Sequence, residues 1–194
     1  PPEVFREEKI APNLALHHPS GVMAVAASLC KEGIGVSIID AIAEYATIED
    51  IISVIKRYKH RILGISSTSP QIRGAFQLAS AVKAAIGSDI IIALGGAHIT
   101  ADPDFYNRFS NIFDFAIVGE AEITFVELVK KIIEGEKITG LYYGKITEDL
   151  DSLPYSARDL IKRNCYCHMP YKSNFVLINS IRGCPYQCSF CSNP

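Results

Sequence analysis

Short apolar runs rich in β-branched residues recur through the middle of the chain, each separated from the next by a stretch with helical punctuation. The runs are Gly35-Val36-Ser37-Ile38-Ile39-Asp40, Arg61-Ile62-Leu63-Gly64-Ile65-Ser66, Asp89-Ile90-Ile91-Ile92-Ala93-Leu94 and Phe113-Asp114-Phe115-Ala116-Ile117-Val118. Near-continuous hydrophobic strands of this kind suit a parallel sheet covered on both faces. Between them, Ile48, Ile51, Ile52 and Ile55 recur at i, i+3, i+4 and i+7 behind a capping-box-like Thr47 and Asp50. Ser69-Pro70 places an N-cap before a proline at the first helical position, opening a helix that Gly87 can end. A helix from about Glu122 buries Phe125, Leu128, Val129 and Ile132 and stops at Gly135; an earlier one spans about Gly21 to Lys31 and ends at Gly33. The pattern predicts a doubly wound, mostly parallel, Rossmann-like (flavodoxin-like) α/β domain.

In open α/β sheets, ligands gather beyond the carboxyl ends of the strands. Those ends carry Asp40, then Ser66, Ser67 and Thr68, then Gly95, Gly96 and His98, then Gly119 and Glu120. Paired glycines let a flat group approach the backbone where a Cβ would obstruct it. Serine and threonine offer donors and acceptors to a nitrogen-containing ring or a phosphate. Turn residues without any ligand are the alternative at each single position; their recurrence at successive strand ends favours a ligand site.

Composition narrows the function classes. The 194 residues suffice for one ordinary domain and a piece of another. A formal net charge of −2 gives no electrostatic case for nucleic acid or an anionic membrane. The 48% hydrophobic share is ordinary for a packed α/β domain, and no 18-residue apolar run suggests a membrane span. The chain opens on Pro-Pro with no targeting sequence and closes on Cys-Ser-Asn-Pro, so it reads as a fragment.

The closing residues carry the most specific chemistry. Cys184, Cys188 and Cys191 stand at C-x3-C-x2-C spacing in the run Arg-Gly-Cys-Pro-Tyr-Gln-Cys-Ser-Phe-Cys, just past a predicted strand at Phe175-Val176-Leu177-Ile178. Structural zinc closes a tetrahedron with four ligands. A [4Fe–4S] cluster held by three thiolates keeps one iron open for a substrate or a small chelating cofactor. Cys165 and Cys167 leave a zinc knuckle open as an alternative, although only one C-x2-C pair occurs. A disulfide framework fits poorly, because the rest of the chain holds only Cys30 and no secretory segment. Cys165 and Cys167 read as incidental members of an extended linker, and Cys30 as a small buried apolar group.

The cysteine run resembles the cluster loop of the radical S-adenosylmethionine enzymes, including the aromatic Phe190 before the last cysteine. In that family the open iron binds the amino and carboxylate groups of S-adenosylmethionine, which an electron cleaves to a deoxyadenosyl radical. Upstream, the chain resembles the cobalamin-binding domain that precedes the barrel in one large class of those enzymes. The matching features are Pro19-Ser20-Gly21 opening a helix that reads Ala-Ala-Ser-Leu, Lys-Glu-Gly-Ile-Gly-Val before Asp40, and Gly64-Ile65-Ser66. Gly-Gly-x-His-x-Thr from Gly95 to Thr100, Val118-Gly119-Glu120-Ala121-Glu122, Leu153-Pro154 and Ala157-Arg158-Asp159-Leu160 follow in the expected order.

The resemblance implies a cobalamin-binding domain over residues 1–142, a linker over 143–172, and the first strand and cluster loop of a truncated radical S-adenosylmethionine barrel over 173–194. Ser20, Ser66, Ser67, Thr68, Gly95, Gly96, His98, Gly119 and Glu120 would then bind cobalamin. Cys184, Cys188 and Cys191 would hold the [4Fe–4S] cluster. His98 could instead cap the following helix. The implied chemistry is radical methyl transfer, or oxidative cyclisation as in the magnesium-protoporphyrin monomethyl ester cyclase group. It implies a small-molecule substrate, a ferredoxin- or flavodoxin-type electron donor, and a reducing, oxygen-poor cytoplasm.

Two departures from family patterns bear on these expectations. Cobalamin domains of the methionine synthase kind carry D-x-H-x-x-G; here His18 has Leu16 at the Asp position, so His18 is not expected to ligate cobalt. His17 and His60 read as surface residues. The family's first strand typically ends in Asn-Pro-Pro, so the opening Pro-Pro implies a missing first strand, with Leu14-Ala15-Leu16-His17 as a short replacement and unpaired edges otherwise. The fragment alone is expected to be inactive. Two other classes stay open: a non-catalytic corrinoid carrier, and a flavodoxin-like regulatory domain with a zinc-binding tail.

Overall fold

The structure, a computed structural model, describes residues 17–166, 176–179, 181–184, 186, 188–189 and 191. Residues 14–16 of the short strand expected at Leu14–His17, together with Cys167, Phe175 and Phe190, lie outside the described residues.

Helix α1 (Ser20–Lys31) buries Met23, Ala24, Ala26, Ala27 and Leu29, and Gly33 turns the chain away at φ +74°. Helix α2 (Ile48–Tyr58) starts at the expected capping box: the Asp50 N–H donates to Thr47 Oγ1 at 3.1 Å and the Thr47 N–H to Asp50 Oδ2 at 2.8 Å. Strand β1 (Ile62–Ser66) leads to a 3₁₀ turn over Ser69–Gln71 and then to helix α3 (Ile72–Ile86), which Gly87 ends at φ +85°. The cap lies one residue earlier than the Ser-Pro pair suggests. Thr68 takes that position, and its N–H and hydroxyl both donate to Gln71 Oε1, at 3.0 and 2.9 Å.

Strand β2 (Ile91–Gly95), short helices α4 (Ala97–Ala101) and α5 (Asp104–Arg108), strand β3 (Phe115–Val118), helix α6 (Glu122–Ile133) and strand β4 (Gly140–Tyr143) follow. All three pairings in the β1-β2-β3-β4 sheet are parallel. Side chains alternate across it. Ile92, Leu94 and Ala116 join Ile51, Ile55 and Val82 from α2 and α3 on one face; Ala93, Phe115 and Ile117 join Leu128 and Ile132 from α6 on the other. Both faces are thus covered, the doubly wound arrangement the sequence predicts. Phe113, Phe115, Ile90 and Ile92 are fully buried, and each such side chain is worth about 1.5–3 kcal/mol of burial.

Four expectations change. Residues 35–40, the earliest of the four apolar runs read as strands, form no ladder with any described strand. Val36, Ile38 and Ile39 pack as half-buried apolar groups, but a strand exists only through its partner, and periodicity does not report one. Residues 176–179 likewise carry no strand. Conversely, β4 lies in a stretch that the apolar runs do not single out. Cys30 is exposed, because it stands off the α1 face that buries Ala26, Ala27 and Leu29.

The segment after β4 is a strap across α1 as far as it is described. The Ala157 N–H donates to the Met23 carbonyl at 3.2 Å, Ala157 packs on Ala26 and Ala27, and Ile161 and Tyr166 pack on Met23 and Ala43. Among the described residues, no helix is long and apolar enough to cross a membrane.

Candidate functional site

Parallel pairing puts the carboxyl ends of all four strands on one edge of the sheet. Ser66 and Gly95 are direct ladder partners, so the loops after β1 and β2 leave the sheet side by side. Hydrogen bonds then knit the predicted residues together. The Ser67 N–H donates to the Gly95 carbonyl, and the His98 N–H donates to the Ser67 carbonyl, both at 3.1 Å. Thr100 Oγ1 donates to the Gly96 carbonyl at 3.1 Å and accepts from the Gly119 N–H at 3.0 Å, so one hydroxyl ties the β2 turn to the β3 turn. Thr100 was legible only as part of the Gly-Gly-x-His-x-Thr run. Its position four residues after Gly96, on the following helical turn, is the signal.

The glycines separate into two kinds. A Cβ on Gly96, whose φ is +95°, would lie 2.7 Å from Ser66 Oγ and from the backbone N and O of Ser67. That position is glycine because β1 packs against it, not because a ligand does. Gly95 and Gly119 have no atom within 4 Å of where a Cβ would be, so both leave open space at the edge. Ser66 and Thr68 are exposed on the same side, while Ser67 is turned inward at 3% exposure. The Ser67 Oγ and the His98 Nε2 are buried, and neither has a hydrogen-bond partner among the described residues. Buried polar atoms of that kind are uncommon in a settled core, and at this edge the polar groups of a ligand or of water can complete them.

His98 does not cap a helix through its side chain. It lies inside α4, with Nδ1 3.1 Å from Ser69 Oγ and its ring edge-on to Phe105 at 4.9 Å. Ser20 is the first residue of α1 and is half-buried; the turn before it is closed by its N–H donating to the His18 carbonyl at 2.8 Å. His18 is 6% exposed and meets the Tyr166 ring edge-on at 4.7 Å. Burial, and after it the charges of Arg158, Arg163 and His17, hold its pKa below the ordinary histidine value. His17 is exposed; His60 is half-buried, with Nε2 3.1 Å from Ser37 Oγ.

Asp40 is consumed by structure. One carboxylate oxygen accepts the N–H groups of Ile42 and Ala43, both at 3.1 Å, and the other accepts the Tyr166 hydroxyl at 2.9 Å. Tyr166 is 2% exposed, and burial together with the Asp40 carboxylate pushes its phenol pKa up. Nothing in the local pattern around Cys165 and Cys167 marks this tyrosine as a core residue.

Glu120 and Glu122 converge on Arg182, which lies two residues before Cys184. Arg182 Nη1 reaches Glu122 Oε1 at 2.5 Å and Glu120 Oε2 at 3.4 Å. Cys184, Cys188 and Cys191 are all exposed, and a turn in which the Cys191 N–H donates to the Cys188 carbonyl at 3.0 Å joins the last two. The donor chemistry suits an iron–sulfur cluster, but no three His, Cys, Asp or Glu side chains among the described residues converge as a metal site. The strand-end residues are therefore brought together by the fold, and the three cysteines are not.

Comparison with known proteins follows the same division. Residues 13–129 match the family model described as B12 binding domain. The chain is 32% identical, over 88% of its length and 40% of the other's, to an uncharacterized methyltransferase of Pyrococcus horikoshii. It is 26% identical, over 92% of its length and 36% of the other's, to an anaerobic magnesium-protoporphyrin IX monomethyl ester cyclase of Rubrivivax gelatinosus. It is 30% identical, over 55% of its length and 19% of the other's, to a hopanoid C-2 methylase of Rhodopseudomonas palustris. The chain thus spans less than half the length of each of these curated relatives.

Proposed function

The chain belongs to the B12-binding domain family, and on that premise we propose that its strand-end edge holds cobalamin for a radical S-adenosylmethionine enzyme of which it is the N-terminal part. The observation that carries the reading is the edge itself: open space at Gly95 and Gly119, exposed Ser66 and Thr68, and a buried, unpartnered Ser67 hydroxyl on one rim. Gly95 would admit the flat face or tail of the cofactor close to the backbone, and Ser66, Ser67 and Thr68 would supply hydrogen bonds to it. Thr100 would hold the Gly96 and Gly119 turns in register around it. His18, buried against Tyr166, is directed into the domain interior and is not assigned to the cobalt.

Cys184, Cys188 and Cys191 would hold a [4Fe–4S] cluster with one iron open to S-adenosylmethionine. When bound, the two cofactors supply radical generation and one-carbon or one-electron chemistry at an unactivated carbon. The names of the relatives support both forms of that chemistry, methyl transfer and anaerobic cyclisation. A small-molecule substrate and a ferredoxin- or flavodoxin-type electron donor complete the proposal. An exposed cluster suits a reducing, oxygen-poor cytoplasm.

Anaerobic reconstitution of a full-length parent, followed by iron, sulfide, zinc and cobalt analysis, tests it. About four irons per chain are expected, and Cys188→Ala is expected to lose most of them while retaining cobalt. Zinc at about one per chain with no iron would contradict the proposal and favour a zinc-binding tail.

A further inference from the structure

Glu122 is 7% exposed, and a carboxylate that deep is costly unless it is paired. Its position at the start of α6 helps through the helix dipole, but its hydrogen-bonding partner is the Arg182 guanidinium, 60 residues further along the chain. The same guanidinium nitrogen reaches Glu120, in the turn that follows β3 at the strand-end edge. A second arginine works nearby: Arg158, on the strap, donates to the Leu177 carbonyl at 3.1 Å. The segment leading to the cysteines is thus held at two points. Arg182 sets where the cysteine loop begins, because two residues span at most about 7 Å.

We propose that Arg182, clamped by Glu122 and Glu120, is a positioning residue that seats the cysteine loop on the strand-end edge, so that whatever the two bind shares one space. The chemistry is a part-buried charge pair, with the buried Glu122 as the main anchor and the half-buried Glu120, at longer distance, as the weaker one. Its helix-start carboxylate and its arginine are far apart in sequence, which is why no local motif reports the pairing. The clamp does not depend on which cofactor the edge or the cysteines take.

Limited digestion of the 194-residue chain with trypsin, followed by peptide mass spectrometry, tests the clamp. A guanidinium engaged by two carboxylates cannot enter the protease's specificity pocket, so cleavage after Arg182 reports its release. Glu122→Gln is expected to speed that cleavage about tenfold, and Glu120→Gln to speed it less, while cleavage after Lys59 and Lys137 stays unchanged. High salt is expected to speed cleavage after Arg182 in Glu122→Gln more than in the wild type, because the remaining pair with Glu120 is longer and reached by solvent, so it is screened. If Glu122→Gln fails to fold, seen as accelerated cleavage everywhere, Glu122→Asp keeps the charge and shortens its reach; selective cleavage after Arg182 is then the expected result. Cleavage after Arg182 at wild-type rate in a folded Glu122 variant would overturn the proposal. Neither iron nor cobalt enters the readout, so this test stands or falls apart from the cofactor assignment.

Discussion

Gly96→Ala is expected to cost the domain about 3 kcal/mol or more, lowering its unfolding midpoint by about 10 °C. Two effects add. At φ +95° an L side chain is strained by about 1–2 kcal/mol before any contact is considered. The new methyl would also sit 2.7 Å from Ser66 Oγ and from the backbone N and O of Ser67. A serine side chain can swing away, but the Ser67 backbone is fixed by its own hydrogen bonds to Gly95 and His98, so β1 and β2 would have to part at this edge. Thermal unfolding followed by circular dichroism measures the loss. A midpoint within about 2 °C of the wild type would mean that the close approach of the two strand ends is not what the structure shows.

Gly144→Ala is expected to be at least as damaging, and for a reason further from the ligand edge in sequence. Gly144 follows β4, and its N–H donates to the Val118 carbonyl at 2.8 Å, extending the β3–β4 ladder one residue past the end of β4. A Cβ there would lie 1.7 Å from the Glu120 carbonyl oxygen and 2.6 Å from its carbon. Those are overlaps that no rotamer relieves, because the backbone fixes the position of a Cβ and the atoms it would meet are themselves backbone. The turn carrying Gly119 and Glu120 must move away, at an expected cost of about 3 kcal/mol or more. Because Glu120 also contacts Arg182, the displaced turn is expected to show in amide exchange, with protection lost at residues 118–120 before the α3 core opens. Uniform loss of protection, or none, would contradict this placement of Gly144.

The contrast between these glycines shows what was legible in the sequence and what was not. A run of Gly-Gly after an apolar stretch marks a strand end where something comes close, and that much follows from the absence of a Cβ. It does not say whether the neighbour is a ligand or the chain itself. The structure divides the pair: Gly96 accommodates Ser67, and Gly95 faces open space. The capping box at Thr47 and Asp50, the helix stops at Gly33, Gly87 and Gly135, and the two-sided burial of β2 and β3 were all local signals, and all were readable.

What escaped depends on partners distant in sequence. Residues 35–40 have a strand's apolar content but no described ladder, and β4 has a ladder at a place the apolar pattern does not mark. Tyr166 is fixed by Asp40, Arg182 by Glu122, and Gly144 by Glu120. The first two pairs are made by folding the strap and the cysteine segment back over the domain, and the third by the β3–β4 pairing; no periodicity encodes any of them. Conversely, the C-x3-C-x2-C spacing named a donor set at once, while the described residues bring only Cys188 and Cys191 together through a turn.

The central claim is that the strand-end edge is a cobalamin site whose entrance is kept open at Gly95. Titration of the 194-residue chain with hydroxocobalamin, followed by visible absorption after removal of free corrinoid, tests it most directly, with Gly95→Val as the companion. Valine there meets no atom within 4 Å at its Cβ, so the variant is expected to stay within about 1 kcal/mol of wild-type stability while filling the space the cofactor needs. One hydroxocobalamin retained per wild-type chain, with affinity reduced at least about tenfold in a folded Gly95→Val, is the predicted result. Wild-type chain that retains no corrinoid, or Gly95→Val that binds it as tightly as the wild type does, would contradict the account.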